Sequence, residues 1–175
     1  RPRQSSIDSV MPAFPLATVL YRFDDAARFP VFESHTTAKG PVEVHADRDE
    51  AGGFIRIVYQ RHEADPDEVT IVFALPLVAV DGRPRQLLLD VFGDAGGCHL
   101  YLECLDARGS LLALSLGLVD FAGWRTLRTD ASQLVPSVQF HRLRLTTAPS
   151  SHAVRIGVRS LSLTGEVRVA AAGIT

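Results

Sequence analysis

Three short hydrophobic runs, separated by clusters of glycine and aspartate, lie between Arg85 and Arg128. The runs cover residues 87–92, 98–105 and 111–118, and the breaks between them are Gly93-Asp94-Ala95-Gly96-Gly97 and Asp106-Ala107-Arg108-Gly109. Runs of this length between such breakers are typical of consecutive antiparallel β-strands joined by tight turns. This stretch therefore predicts an all-β fold.

The same pattern continues on both sides of this stretch. Further strands are predicted at residues 18–23, 42–45, 54–60, 69–80 (interrupted at Pro76), 125–128, 138–146, 153–163 and 166–170. Residues 31–41 read as a loop, and Asp81-Gly82 and Thr164-Gly165 read as turns. About ten strands with recurrent turn signals predict an antiparallel β-sandwich or jelly roll, and a closed barrel fits the same pattern.

The first residues of the chain lack the strand pattern of the rest, which suggests how the chain is divided into an arm and a domain. Residues 1–15 carry three prolines and no consistent period. We expect residues 1–17 to be an N-terminal arm or linker remnant and residues 18–175 to form a single β-sandwich domain.

The net charge and the hydropathy of the chain argue against two classes of partner, nucleic acid and membrane. The net charge of −2 gives no electrostatic basis for binding nucleic acid or an anionic membrane. The longest apolar segment, residues 111–119, is interrupted by Ser115 and Gly117, so no membrane insertion is expected.

The two cysteines, Cys98 and Cys104, fall on one predicted strand. Six residues of extended chain separate them by about 20 Å, which is beyond disulfide reach. They alternate in phase with Leu100 and Leu102. We therefore predict that both are small buried core residues.

No catalytic signature is present. The six histidines show no ligand spacing, and CxxC, HExxH, GxSxG and phosphate-loop motifs do not occur. Asp47 and Asp49 begin an acidic turn, which Ala51 and Val58 distinguish from an EF-hand loop. A glycoside hydrolase stays open as an alternative, because paired carboxylates meet only in the fold. Glu33, Glu43 and Glu103 are formally available for such a pair.

Three short motifs resemble one known family. They are Leu20-Tyr21-Arg22-Phe23-Asp24-Asp25, Val91-Phe92-Gly93-Asp94 and Asp120-Phe121-Ala122-Gly123-Trp124-Arg125. They are similar to motifs of the galactose-binding-like jelly rolls found as carbohydrate-binding modules and accessory domains of bacterial glycoside hydrolases. The tight match runs through the stretch from Arg85 to Arg128, about a quarter of the chain, and indicates a fold more than a ligand, since one fold hosts many functions.

This resemblance implies a non-catalytic module of a larger bacterial protein, secreted or on the cell surface. Its partners would be a polysaccharide or oligosaccharide and the other domains of a longer chain. The resemblance also implies that Trp124 is a structural, inward-facing residue.

A structural Ca²⁺ is a further implication of the resemblance. Such domains often hold the ion between the acidic end of the first strand, here Asp24 and Asp25, and an acidic residue on the last strand. The last strand here, residues 166–171, has no aspartate where one is expected. Calcium requires six to eight oxygen ligands, so this departure weakens the match.

Strand alternation suggests a candidate ligand-binding surface. On the strand of residues 98–105, His99, Tyr101 and Glu103 share the face opposite the apolar leucines. Six polar or aromatic residues on other strands alternate in the same way: Arg56, Gln60, Asp90, Phe92, Arg142 and Arg144. If the nine belong to one sheet, they form a polar concave surface suited to sugar hydroxyls and rings.

Two alternatives to a carbohydrate site stay open. The face could be a solvated sheet surface with cross-strand ion pairs. The domain could also be a structural or protein-interaction β-sandwich without a small ligand, which one tryptophan and three tyrosines in the whole chain would favour.

Overall fold

The computed structural model describes residues 17–23, 31–36, 42–61, 63–73, 78–134 and 139–171. This part of the chain contains eleven β-strands, against about ten expected from the sequence pattern. They are β1 (Thr18–Arg22), β2 (Val31–Thr36), β3 (Glu43–Asp49), β4 (Gly52–Gln60), β5 (Asp67–Phe73), β6 (Val78–Asp94), β7 (Cys98–Leu105), β8 (Leu111–Val119), β9 (Ala122–Asp130), β10 (Gln139–Thr147) and β11 (Ala153–Ala171).

The strands form two antiparallel sheets. The first sheet has the order β3-β4-β11-β6-β9, and β1 also pairs with β11. The second sheet has the order β2-β5-β10-β7-β8. The all-β sandwich is thus confirmed, and the strands do not form the closed barrel that the same pattern allowed. Strands adjacent in sequence, such as β6 and β7, lie in opposite sheets.

The core lies between the inner faces of the two sheets. Alternate residues of each strand supply it, as the period of two requires: Ile55, Ile57 and Tyr59 from β4, Leu87, Leu89 and Val91 from β6, Leu100 from β7, and Leu143 and Leu145 from β10. Cys98 and Cys104 are free thiols in this core, so their predicted core role is confirmed.

Two predicted turns are wrong, because β6 and β11 continue through them. Gly82 and Gly165 have φ angles of 109° and 111°. A Cβ at Gly82 would collide with the carbonyl oxygen of Glu166, and one at Gly165 with that of Arg83. The glycines therefore let two long antiparallel strands pair closely through a register shift, where the sequence suggested reversals.

Residues 31–36, expected to be loop, form β2 at the edge of the second sheet. Their pairing with β5 supplies the backbone hydrogen bonds that a weakly apolar segment needs to become a strand. The prolines of residues 1–15 and the interruption at Pro76 lie outside the described residues. None of the described segments is a helix that could cross a membrane.

Candidate functional site

The structure divides the nine predicted site residues between the two sheets. Arg56, Gln60, Asp90 and Phe92 lie on β4 and β6 of the first sheet, whereas His99, Tyr101, Glu103, Arg142 and Arg144 lie on β7 and β10 of the second. Strand alternation predicted on which face of its strand each residue lies, but it did not predict to which sheet the strand belongs. The nine therefore do not form one surface, and five of them meet on the outer face of the second sheet.

We call these five residues the Tyr101 face. In the register between β7 and β10, Arg144 lies opposite Tyr101 and Arg142 lies opposite Glu103. Directly opposed side chains on one face of an antiparallel pair are close enough to interact. The pairing therefore places the guanidinium group of Arg144 beside the Tyr101 ring and that of Arg142 beside the Glu103 carboxylate.

Tyr101 is fixed by its neighbours. Its ring stacks on the His99 ring with centroids 4.5 Å apart and an interplanar angle of 18°. The guanidinium carbon of Arg144 lies 4.3 Å from the centre of the Tyr101 ring, a cation–π distance. His99 Nε2 lies 2.7 Å from the hydroxyl of Ser115 on β8. These contacts leave Tyr101 half-buried and hold its ring in one orientation.

Glu103 anchors the face. It is only 7% exposed, and a buried carboxylate is costly unless it is paired. Arg142 Nε donates to one of its oxygens, and Arg144 Nε donates to the other at 3.1 Å. Arg144 also lies 3.8 Å from Glu68 on β5. Both oxygens of Glu103 are thus engaged, which suits a structural anchor better than a catalytic acid or nucleophile.

Sequence reasoning missed two contributors to this face. Ser115 and Glu68 lie on β8 and β5, the strands that flank β7 and β10. Ser115 is the one polar residue in a strand of otherwise apolar residues and glycine. That interruption was the available signal, but only the strand order shows which face it joins.

On the first sheet, the predicted site residues are engaged in internal contacts. The carboxylate of Asp90 accepts hydrogen bonds from Thr126 at 2.7 Å and from Ser160 at 2.8 Å. Gln60 donates to the carbonyl of Ser151 at 3.0 Å, and Arg56 pairs with Asp47. These bonds link neighbouring strands and loops.

Phe92 belongs to an aromatic cluster with Trp124 on the outer face of the first sheet. Trp124 packs edge-on against Phe54 and Phe92, with centroids 5.2 and 5.5 Å apart. Arg159 lies 4.0 Å over the Trp124 ring, and the indole N–H donates to Asp49 at 2.9 Å. The expectation that Trp124 faces inward is wrong, because its ring ties four strands together from outside.

The same cluster explains the acidic turn after β3. Asp49 accepts hydrogen bonds from Arg159, from the backbone of Ala51 and from Trp124. The bond from Arg159 is the largest of the effects that lower the pKa of Asp49. Asp47 and Asp49 therefore lie at the β3–β4 hairpin and bind side chains of their own chain.

The predicted calcium ligands, Asp24 and Asp25, lie outside the described residues. Within the residues that are described, no group of three or more His, Cys, Asp or Glu side chains is arranged to hold a metal ion. The calcium site stays a prediction from the resemblance.

The strands form a jelly-roll β-sandwich, and solved structures of carbohydrate-binding modules have a similar fold. A family 11 carbohydrate-binding module from Clostridium thermocellum, in complex with a β-1,3-1,4-mixed-linked tetrasaccharide, is similar with a TM-score of 0.53 and 9% identity. The match covers 85% of this chain and 95% of that one. The resemblance found in the sequence motifs is thus confirmed as a likeness of fold.

Two further structures show the same likeness. The family 11 module of the cellulosomal cellulase Lic26A-Cel5E of C. thermocellum has a TM-score of 0.53 and 12% identity, covering 85% of this chain and 94% of that one. The glycoside hydrolase domain of Endo-D from Streptococcus pneumoniae R6 has a TM-score of 0.55 and 12% identity, covering 75% of this chain and 21% of that one. No protein-family model and no curated protein sequence matches the chain.

Proposed function

We propose that this domain is a non-catalytic carbohydrate-binding module and that the Tyr101 face is its binding surface. The observation that carries the proposal is the convergence of His99, Tyr101, Glu103, Arg142 and Arg144 on one outer sheet face of a module-type jelly roll. Each side chain is held by a neighbour before any ligand arrives. A fixed surface loses little conformational entropy on binding.

The chemistry of the face suits sugar hydroxyls. The two arginines present guanidinium N–H groups, and Tyr101 and Ser115 present hydroxyls that both donate and accept hydrogen bonds. The stacked rings of Tyr101 and His99 add apolar area beside these polar groups, although His99 and Arg144 already cover the faces of the Tyr101 ring. A glycan chain lying across β7 and β10 would exchange its hydration for these contacts, with the modest affinity of an open surface.

The setting of the module is part of the same proposal. The similar family 11 module belongs to a cellulosomal cellulase, and the matched part of the Endo-D structure is 21% of that chain. By analogy, this domain, with residues 18–175 as its folding unit, serves a larger secreted or cell-surface bacterial protein of the glycoside hydrolase kind. Its role there would be to hold the enzyme on a polysaccharide.

One observation favours an interaction domain as the second candidate. Leu111 and Leu118, near the two ends of edge strand β8, are 46% and 49% exposed. An edge strand also presents unpaired backbone groups to a partner chain. Under this alternative the protein would form concentration-dependent dimers in sedimentation and would not respond to glycans.

The test is affinity electrophoresis of the whole chain in polysaccharide gels, beginning with mixed-linked β-1,3-1,4-glucan. That glucan is the first choice because the similar module was solved with a fragment of it. We expect Tyr101→Ala to weaken retention by about tenfold or more, the size of a lost aromatic contact. Phe92→Ala is the matched control, since it removes a partly exposed ring from the opposite sheet.

Equal retention of Tyr101→Ala and Phe92→Ala would contradict the assignment of the face. Lack of retention of the folded protein in every glycan gel would favour the interaction domain. Repeating the gels and a thermal melt with EDTA tests the calcium expectation. A melting temperature that falls with EDTA and recovers with Ca²⁺ would support Asp24 and Asp25 as ligands.

A further inference from the structure

A cleft of about 570 Å³ lies where the ends of β4 and β6 meet the connection between β10 and β11. Arg61, Asp94, Gly96, His152 and Arg155 are among the residues that line it, and none of the lining residues belongs to the Tyr101 face. The volume is within the range of small-ligand sites, about 300–1,000 Å³.

The floor of the cleft is a buried cation. Arg61 is only 5% exposed. Its Nη2 donates to the carbonyl of Gly96, a neutral acceptor, while its Nε has no hydrogen-bond partner among the described residues. A buried charge is costly unless it is paired with an opposite charge. Among the described residues, Arg61 thus has no ion-pair partner.

The carboxylate of Asp94 lies near Arg61, since Asp94 Oδ1 and Arg61 Nη2 would each be 2.7 Å from a Cβ at Gly96, but the two do not form an ion pair. The two carboxylate oxygens of Asp94 accept hydrogen bonds from the backbone N–H groups of Gly96 and Arg155, each at 2.8 Å. The ion pairs found in the described part of the chain include neither Arg61 nor Arg155. The cleft is lined by the guanidinium groups of Arg61 and Arg155 and by one carboxylate, that of Asp94, so its net charge is positive. The exposed imidazole of His152 adds a further polar group.

The rim of the cleft has a strained backbone at Ala95. Ala95 has a φ of 60°, which a residue with a side chain rarely adopts. Hydrogen bonds from Ala95 to Phe121 at 2.8 Å and from Gly97 to Val119 at 2.9 Å hold this conformation. A Cβ at Gly96 would lie 2.7 Å from Arg61 Nη2. Strain of this kind concentrates at ligand clamps.

We propose that this cleft binds the oxyanion of an acidic glycan, either the carboxylate of a uronic acid or a sulfate ester. A guanidinium presents a planar fork of donors that matches such groups, and binding would give Arg61 the direct ion pair that it does not form with any described residue. The site lies on other residues than the Tyr101 face and selects a charged group instead of neutral hydroxyls, while the choice of a glycan as its carrier rests on the proposed function.

The test is calorimetric titration of the whole chain carrying Tyr101→Ala, so that binding at the sheet face is removed. The probes are a galacturonic acid oligosaccharide, a sulfated oligosaccharide, a neutral oligosaccharide of equal length and inorganic sulfate. We expect an acidic glycan to bind and the neutral one not to bind, with affinity that falls as salt rises. The stronger of the two acidic glycans identifies the anion. Equal binding of neutral and acidic glycans, or of inorganic sulfate alone, would overturn the proposal.

Two variants connect the binding to the cleft. Arg155→Gln, at an exposed position, is expected to weaken acidic-glycan binding by about tenfold, the effect of losing one charge-assisted contact. Arg128→Gln removes an exposed charge from β9, outside the cleft, and should leave binding unchanged. Equal effects of the two variants would refute the assignment.

Arg61→Met separates ligand binding from stability. It removes an unpaired buried cation, so the unliganded variant should melt at or above the temperature of the parent while losing acidic-glycan binding. If this variant does not fold, the comparison of Arg155→Gln with Arg128→Gln still decides. A folded Arg61→Met protein that binds the acidic glycan normally would refute the role of Arg61.

Discussion

Removal of the Glu103 carboxylate should destabilise the whole Tyr101 face. Glu103→Ala leaves Arg142 and Arg144 without the acceptor that both now share. Each charge-assisted hydrogen bond contributes about 1.5–3 kcal/mol, so two would contribute about 3–6 kcal/mol if fully buried. The arginine side chains are 32% and 23% exposed, and solvent screening reduces the sum to about 2–3 kcal/mol.

The assay is urea denaturation followed by tryptophan fluorescence, together with a thermal melt. For a domain of this size, a loss of about 2–3 kcal/mol lowers the melting temperature by about 4–12 °C. Glu50→Ala is the control, because it removes an exposed carboxylate from the β3–β4 turn. If Glu103→Ala and Glu50→Ala destabilise the protein equally, the two arginines do not depend on Glu103 and the ion-paired face is refuted.

Two further predictions concern the rest of the sandwich. Trp124→Ala should cost about 2–4 kcal/mol of unfolding free energy, somewhat less than a fully buried tryptophan, because it removes contacts to four other strands. It should leave glycan retention unchanged, and a selective loss of retention would contradict its structural role. Burial raises the pKa of the Cys98 thiol to about 12 and of the Cys104 thiol to about 11 from the ordinary value of 9.0. The unfolded thiols ionise first, so stability should fall as pH rises from about 9 toward 11, and Cys98→Ala should flatten this dependence in denaturation curves.

Local sequence patterns were enough to predict which residues face the core and which face solvent. The alternation on β7 places Leu100 inside and Tyr101 outside, and both cysteines follow the inner phase. Glycine and aspartate clusters likewise mark where β6 and β7 end. These features were predictable because a period of two and a strand-breaking cluster depend only on neighbouring residues.

The role of a glycine could not be predicted from the sequence where that role depends on a partner strand. Gly82 and Gly165 look like turn residues in sequence, but each is required by the backbone of the strand opposite, about 80 residues away in the chain. Trp124 is a similar case, because Arg159 and Asp49 hold it on the outer face from distant segments.

The sequence by itself thus determined an all-β fold of antiparallel strands, the strands that carry its polar residues and the phase of each of these strands. Only the tertiary structure decided that Asp90 and Phe92 lie on the sheet opposite Tyr101, and that Arg61 is buried beneath Gly96. The physical reason is that alternation is a local property, whereas the assignment of a strand to a sheet depends on how all the apolar faces are buried together. A site assembled from several strands is therefore fixed only when the two sheets pack.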